Sequence, residues 1–97
     1  MQKINITKRI IAEIKPDLKS KFKVKTIGLF GSVARAEDDQ HSDIDLLVEF
    51  FEPVSFFHFL DLEEYLKDKL KQDMDLVTKN ALKPHIGKQI LQEVTYL

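Results

Sequence analysis

The sequence predicts an α/β fold of the α+β kind: a small mixed sheet of three to four strands with helices packed against it. Three observations predict it. Apolar residues recur at helical spacing in three stretches, near residues 4–22, 55–70 and 84–94. Between them, apolar and polar residues alternate along three shorter runs, 24–30, 43–50 and 74–78, which is the period of a strand. A chain of 97 residues that is 43% hydrophobic and has no cysteine can build one core without disulfides. With a short helix after the first strand, the order is helix, strand, helix, strand, helix, strand, helix. No linker or internal repeat interrupts it, and residues 1–97 read as a single domain.

Ile4 to Phe22 is expected to be helical, with Ile10, Ile11, Ile14, Leu18 and Phe22 lining one side. Pro16 disfavours helical geometry at Lys15, so a break is expected there, with a second short helix from Pro16 or Asp17. Val24 to Phe30 is a strand with Val24, Thr26, Gly28 and Phe30 on one face and Lys25, Ile27 and Leu29 on the other. Gly31 ends it. Ser32 is a good N-cap for a short helix, Val33 to Glu37, and Glu37 to Ser42 is a polar loop. From Asp43 to Phe50 the alternation is strict: Asp43, Asp45, Leu47 and Glu49 point one way, and Ile44, Leu46, Val48 and Phe50 the other. After Pro53, Ser55 caps a helix to about Leu70, whose buried stripe is read as Phe56, Phe59, Leu60, Leu66 and Leu70. Met74 to Thr78 is a short third strand. Pro84 suits the start of a last helix reaching about Val94, with Ile86, Ile90, Leu91 and Val94 at helical spacing.

The totals exclude several classes. Without cysteine there is no disulfide framework and no thiolate zinc site. No apolar run approaches the roughly 20 residues of a membrane helix, and no signal-peptide pattern opens the chain, so a cytoplasmic protein is expected. The net charge of −1 conceals an asymmetry: residues 1–25 carry eight lysines or arginines against two acids, and residues 36–75 thirteen acids against three lysines. The basic end is read as a solvated helix face, the alternative being a surface for nucleic acid or an acidic partner.

Some of the acids fall at fixed places on strands, and these carry chemistry. A Gly-Ser turn or an Asp-x-Asp at a strand start is ordinary when taken singly. Together, Gly31-Ser32 and Asp43-Ile44-Asp45 are much more specific. Alternation puts Asp43 and Asp45 on one face with their carboxylates close together, and an opposite charge between them relieves their repulsion. Mg²⁺ suits this, since it takes one or two carboxylates together with phosphate oxygens and water. Two such ions can clamp the attacking and leaving oxygens of an in-line displacement at phosphorus. Gly31 lets backbone N–H groups approach a phosphate, and Ser32, at a helix start, adds a hydroxyl donor. Arg35 could reach back to the phosphates or outward to the rim; its bland reading is a surface ion pair with Glu37 or Asp38. Asp75 is the candidate third carboxylate, as metal ligand or as the base for an attacking hydroxyl. Alternation in Asp73-Met74-Asp75-Leu76-Val77 puts Asp75 on a face that can share the pocket, and Asp73, nearer the strand end, is less favoured.

Gly31-Ser32, Arg35 and Ser42-Asp43-Ile44-Asp45-Leu46-Leu47-Val48-Glu49 resemble the G-S…D-x-D signature of nucleotidyltransferases with the DNA polymerase β-like fold. The nearest likeness is to the minimal nucleotidyltransferase, or MNT, group, and it spans nearly the whole chain. The resemblance implies the antitoxin half of a HEPN–MNT toxin–antitoxin pair. In such pairs the MNT protein silences a helical HEPN ribonuclease by transferring AMP from ATP to a tyrosine. Carried over by residue, Asp43 and Asp45 would bind two Mg²⁺ ions, and Asp75 would share one metal and help activate the acceptor hydroxyl. Gly31 and Ser32 would hold the triphosphate, with Arg35 in support. A hetero-oligomer with the HEPN protein is implied, with no membrane and no direct nucleic-acid contact. One departure is Ala36, where many relatives have glycine after the arginine.

Other residues read as structural. His41 is placed on an exposed loop, His58 at the core edge and His85 on the surface. The aromatic group Phe50-Phe51 and Phe56-Phe57-His58-Phe59 is read as core, its excess over one helix face being a possible dimer or partner contact. Lys79 is an exposed lysine after a strand. The end of the chain, Val94 to Leu97, is either part of a partner surface or a core-docked tail. No segment is large enough to hold an acceptor, so a protein acceptor that brings its own bulk fits best. Two other readings stay open: nucleotidyl transfer to a small molecule or RNA end with a partner chain, and a non-catalytic antitoxin that masks its target.

Overall fold

A computed structural model describes residues 3–35, 43–82 and 84–97, with the side chains of residues 84–86 outside the description. Ala36, His41 and Ser42, the end of the expected short helix at Glu37, and the side chains of His85 and Ile86 therefore lie outside the described residues. The elements are α1 (Lys3–Phe22), β1 (Val24–Phe30), α2 (Gly31–Ala34), β2 (Ile44–Phe50), α3 (Phe56–Leu70), β3 (Met74–Thr78), a 3₁₀ turn (Lys79–Ala81), α4 (Pro84–Glu93) and β4 (Thr95–Tyr96). The sheet order is β3-β2-β1-β4, with β1 antiparallel to both β2 and β4, and β2 parallel to β3.

α1 runs unbroken through Pro16, contrary to the expected break. Its buried residues Thr7, Ile11, Ile14 and Leu18 form one stripe that crosses the proline, and burial of that stripe outweighs the lost backbone bond. Pro16 is itself exposed. Replacing it with alanine restores the missing donor on a solvated face, so Pro16→Ala is expected to stabilise the chain by about 1–2 kcal/mol in urea unfolding.

The core lies on one face of the sheet. Ile11 and Leu18 of α1 and Leu62 and Leu66 of α3 meet Ile27 and Leu29 of β1 and Ile44, Leu46 and Val48 of β2. Val24 joins this cluster instead of sharing the Thr26 face, because the β1–β2 register slips between Val24 and Thr26. A bulge there returns Val24 to the core side.

In α3, Ser55 Oγ accepts the His58 backbone N–H at 3.1 Å, the expected N-cap. The buried stripe is Leu62, Leu66 and Leu70; Phe56 is 70% exposed and Leu60 37%, so both leave the list of inward residues. In the first turn Phe59 packs against the core cluster while Phe56 faces outward. Phe51 and Phe57 are exposed as well, which corrects their reading as core. His58 does edge the core, its ring against Phe22 and Phe50 and its Nε2 donating to the Phe22 carbonyl at 2.6 Å.

The end of the chain is a strand that the sequence did not disclose. Thr95 and Tyr96 pair with Leu29 and Gly28, and the Leu97 N–H bonds the Ile27 carbonyl. Gly28 admits this neighbour because Val94 packs where a Cβ would stand. Among the described residues no helix is long and apolar enough to cross a membrane.

Candidate functional site

The face of the sheet opposite the core carries the acids. β2 begins at Ile44, so Asp43 stands just before it and Asp45 one residue inside, both on the non-core side. The parallel register puts Asp75 of β3 directly beside Asp45, as Ile44 pairs with Met74 and Leu46 with Leu76. On the other side Asp45 pairs with Phe30, the last residue of β1. The structure therefore brings Asp43, Asp45 and Asp75 to one end of one face; Asp73 stands just before β3 as Asp43 does before β2, but only Asp75 and Asp43 are the acids that act on Asp45.

Gly31 completes this end. Its φ of +76° is left-handed, and a Cβ at this position would run into the Asp45 carboxylate. Only glycine lets the β1–α2 turn lie against that side chain. α2 is one turn, Gly31 to Ala34, and its N-cap is Phe30, in extended geometry and without a side-chain cap bond. Ser32 is thus inside the helix, not its N-cap, since the chain turns two residues earlier than its cap preference suggests. Arg35 closes the turn, its N–H bonding the Gly31 carbonyl at 3.2 Å. Its Nη1 lies 3.0 Å from Glu93 Oε2 at the end of α4, whereas Glu37 and Asp38, the partners of its bland alternative reading, lie outside the described residues.

Electrostatics single out Asp45. Its carboxyl pKa is raised, first by burial, then by the charges of Asp75 and Asp43, while Arg35 acts to lower it. The folded chain holds this proton to higher pH than the unfolded chain does, so stability falls as pH rises through the window just above the ordinary 3.8. In metal-free protein, Asp45→Asn is accordingly expected to melt near the wild-type temperature at about pH 4 and a few degrees above it at neutral pH, measured by thermal unfolding across pH.

Among the described residues no three histidine, cysteine or carboxylate side chains close into a metal-ligand set by themselves. The donor set nevertheless fits Mg²⁺: hard oxygens only, with like charges crowding Asp45, and with phosphate oxygens and water as the usual remaining ligands. Beside the acids a cleft of about 480 Å³ is walled by Phe30, Val77, Leu82 and Ile90, with Asp45 and Asp75 on its floor. A second cavity, about 430 Å³, lies toward the other ends of β2 and β3, among Phe51, Phe56, Phe59 and Lys79. It shares none of the acids. Sequence reasoning missed Glu93 and the apolar wall from Leu82 and Ile90; the β4–β1 pairing and the 3₁₀ turn bring them here, and neither announces itself in a residue pattern.

The family profile described as "Polymerase beta, Nucleotidyltransferase" matches residues 12–97. The chain is 44% identical over 88 residues to the protein adenylyltransferase MntA of Thermococcus cleftensis, covering 91% of this chain and 89% of that one. It superposes on a solved "putative minimal nucleotidyltransferase" with TM-score 0.82 at 31% identity, covering 100% of this chain and 97% of that one. With TM-score 0.69 and 27% identity it also superposes on a chain from a toxin–antitoxin MntA–HpeT crystal structure carrying the substitution Y104A, covering 93% and 69%.

Proposed function

The chain belongs to the polymerase beta nucleotidyltransferase family, and from that premise we propose that it is a Mg²⁺-dependent protein adenylylyltransferase. In this reading it transfers AMP from ATP to a tyrosine of a HEPN-type ribonuclease toxin and so acts as the toxin's antitoxin. The observation that carries the reading is the placement of Asp45: flanked by Asp75 in register, preceded two residues earlier by Asp43, and pressed against the glycine turn at Gly31. The names of the MntA relative and of the toxin–antitoxin complex support a protein acceptor.

Asp43 and Asp45, with Asp75 sharing, would hold Mg²⁺, which supplies charge neutralisation at the phosphates and orients the attacking oxygen. Gly31 and Ser32 offer backbone and hydroxyl donors to the triphosphate, and Arg35 a guanidinium. The tyrosyl oxygen attacks the α-phosphorus, the bond from that phosphorus to the bridging oxygen breaks, and diphosphate leaves. Asp75, exposed at the cleft, takes the phenolic proton. The apolar wall of Phe30, Leu82 and Ile90 suits an aromatic ring beside the acids.

The test is the intact mass of the product of the adjacent gene, after incubation with this chain, ATP and Mg²⁺. A gain of one or more adenylyl groups on that protein is expected. No gain, with toxin neutralised equally by wild type and by Asp43→Ala, would replace transfer with masking. A gain on RNA ends or a small molecule instead would move the acceptor class.

A further inference from the structure

Glu93 lies on α4, 58 residues from Arg35 in sequence, yet its Oε2 is 3.0 Å from Arg35 Nη1. The sheet makes this meeting. β1 runs directly into the Gly31–Arg35 turn, and β4 pairs with the end of β1, Leu29 opposite Thr95. Glu93 precedes Thr95 by two residues, so the same ladder that positions the turn positions its carboxylate. Its anchorage is firm: the Val94 N–H bonds the Ile90 carbonyl at 2.9 Å, Val94 packs on Gly28, and the Leu97 N–H bonds Ile27.

Local physics does not favour an acid at this place. Glu93 is the last residue of α4, where the helix dipole disfavours negative charge. A cation opposite it offsets that cost, and Arg35 is the cation. Both side chains are less than half exposed, at 43% and 44%. An exposed pair of this kind adds little to stability. Its consequence is geometric: a long arginine side chain at the mouth of the glycine turn is held in one direction before any ligand arrives.

We propose that Glu93 is a positioning residue for nucleotide binding, acting through Arg35. By fixing Nη1 it preorganises the guanidinium toward the phosphates held at Gly31-Ser32, so that less side-chain freedom is lost when they bind. The inference rests on the nucleotidyltransferase reading above, and extends it to a residue outside the Gly-Ser and Asp-x-Asp stretch.

The experiment measures affinity for the non-hydrolysable analogue AMP-PNP with Mg²⁺, by calorimetry, for wild type, Glu93→Ala, Glu93→Asp, Arg35→Ala and the double alanine variant. KM and kcat for ATP are followed beside it. Glu93→Ala is expected to weaken binding about 2- to 5-fold and raise KM with kcat little changed, a loss of uniform binding. Glu93→Asp should recover most of the affinity, and in the Arg35→Ala background Glu93→Ala should cost nothing further. Thermal unfolding separates a structural role: a lowered melting temperature with unchanged affinity would overturn the proposal. Tighter binding by Glu93→Ala would also overturn it, because Glu93 would then be competing with phosphate for Arg35. A wild-type chain that binds no nucleotide overturns the proposed function itself, and this inference with it; wild-type binding with no effect of Glu93→Ala overturns the inference alone.

Discussion

Asp45→Asn is expected to reduce nucleotidyl transfer by about 10³-fold or more, measured as the initial rate at saturating ATP and Mg²⁺. The side chain sits at the one point where three constraints converge. Asp75 stands beside it across the parallel ladder, Asp43 is two residues back on the same face, and the Gly31 turn touches its carboxylate. On the proposed reading, losing the charge takes away a carboxylate that would hold Mg²⁺ while leaving the shape, so the variant should fold. It should fold better than wild type. The raised pKa of Asp45 means that its ionised form is disfavoured in the metal-free chain, and asparagine ends that cost. Loss of activity joined to a gain in stability is the signature of a charge kept for chemistry and not for the fold.

Gly31→Ala is the second large effect. The backbone at φ +76° strains any L-residue with a Cβ, and that Cβ would displace the Asp45 carboxylate. The expected cost is about 2–4 kcal/mol in urea unfolding, together with a loss of about 10²-fold or more in transfer rate. The two sites share one contact, so they should not add. In an Asp45→Ala background, where the obstructing carboxylate is gone, Gly31→Ala should cost only its backbone strain. Equal costs in both backgrounds would show that the turn and the acid are independent.

Much of this geometry was legible in the residues themselves. Strict alternation from Asp43 to Phe50 placed Asp43 and Asp45 on one face, and alternation around Met74 separated Asp75 from its neighbours; the parallel register then set Asp75 beside Asp45. Ser55 as a cap and the bounds of β1 and β3 followed from local chemistry alone. The rest depends on long-range packing. Pro16 is a local helix breaker, overridden because the Thr7–Leu18 stripe is buried on both sides of it. Phe56 and Leu60 are apolar at helical spacing, yet Leu62 is the residue that faces the sheet, a matter of which way α3 is rolled. Ser32 has the composition of an N-cap, but the turn begins at Gly31 because only glycine clears Asp45. Glu93 is silent in sequence until β4 pairs with β1 and carries it to Arg35.

On the proposed reading the Asp43–Asp45–Asp75 face, with the glycine turn, performs nucleotidyl transfer to protein. The decisive measurement uses ATP labelled at the α-phosphate and, separately, at the γ-phosphate, with Mg²⁺ and the product of the adjacent gene present. Protein label is expected from α-labelled ATP alone, with release of labelled diphosphate from γ-labelled ATP, and neither with Asp45→Asn. Protein label from the γ-phosphate, or equal α-label with wild type and Asp45→Asn, would contradict it.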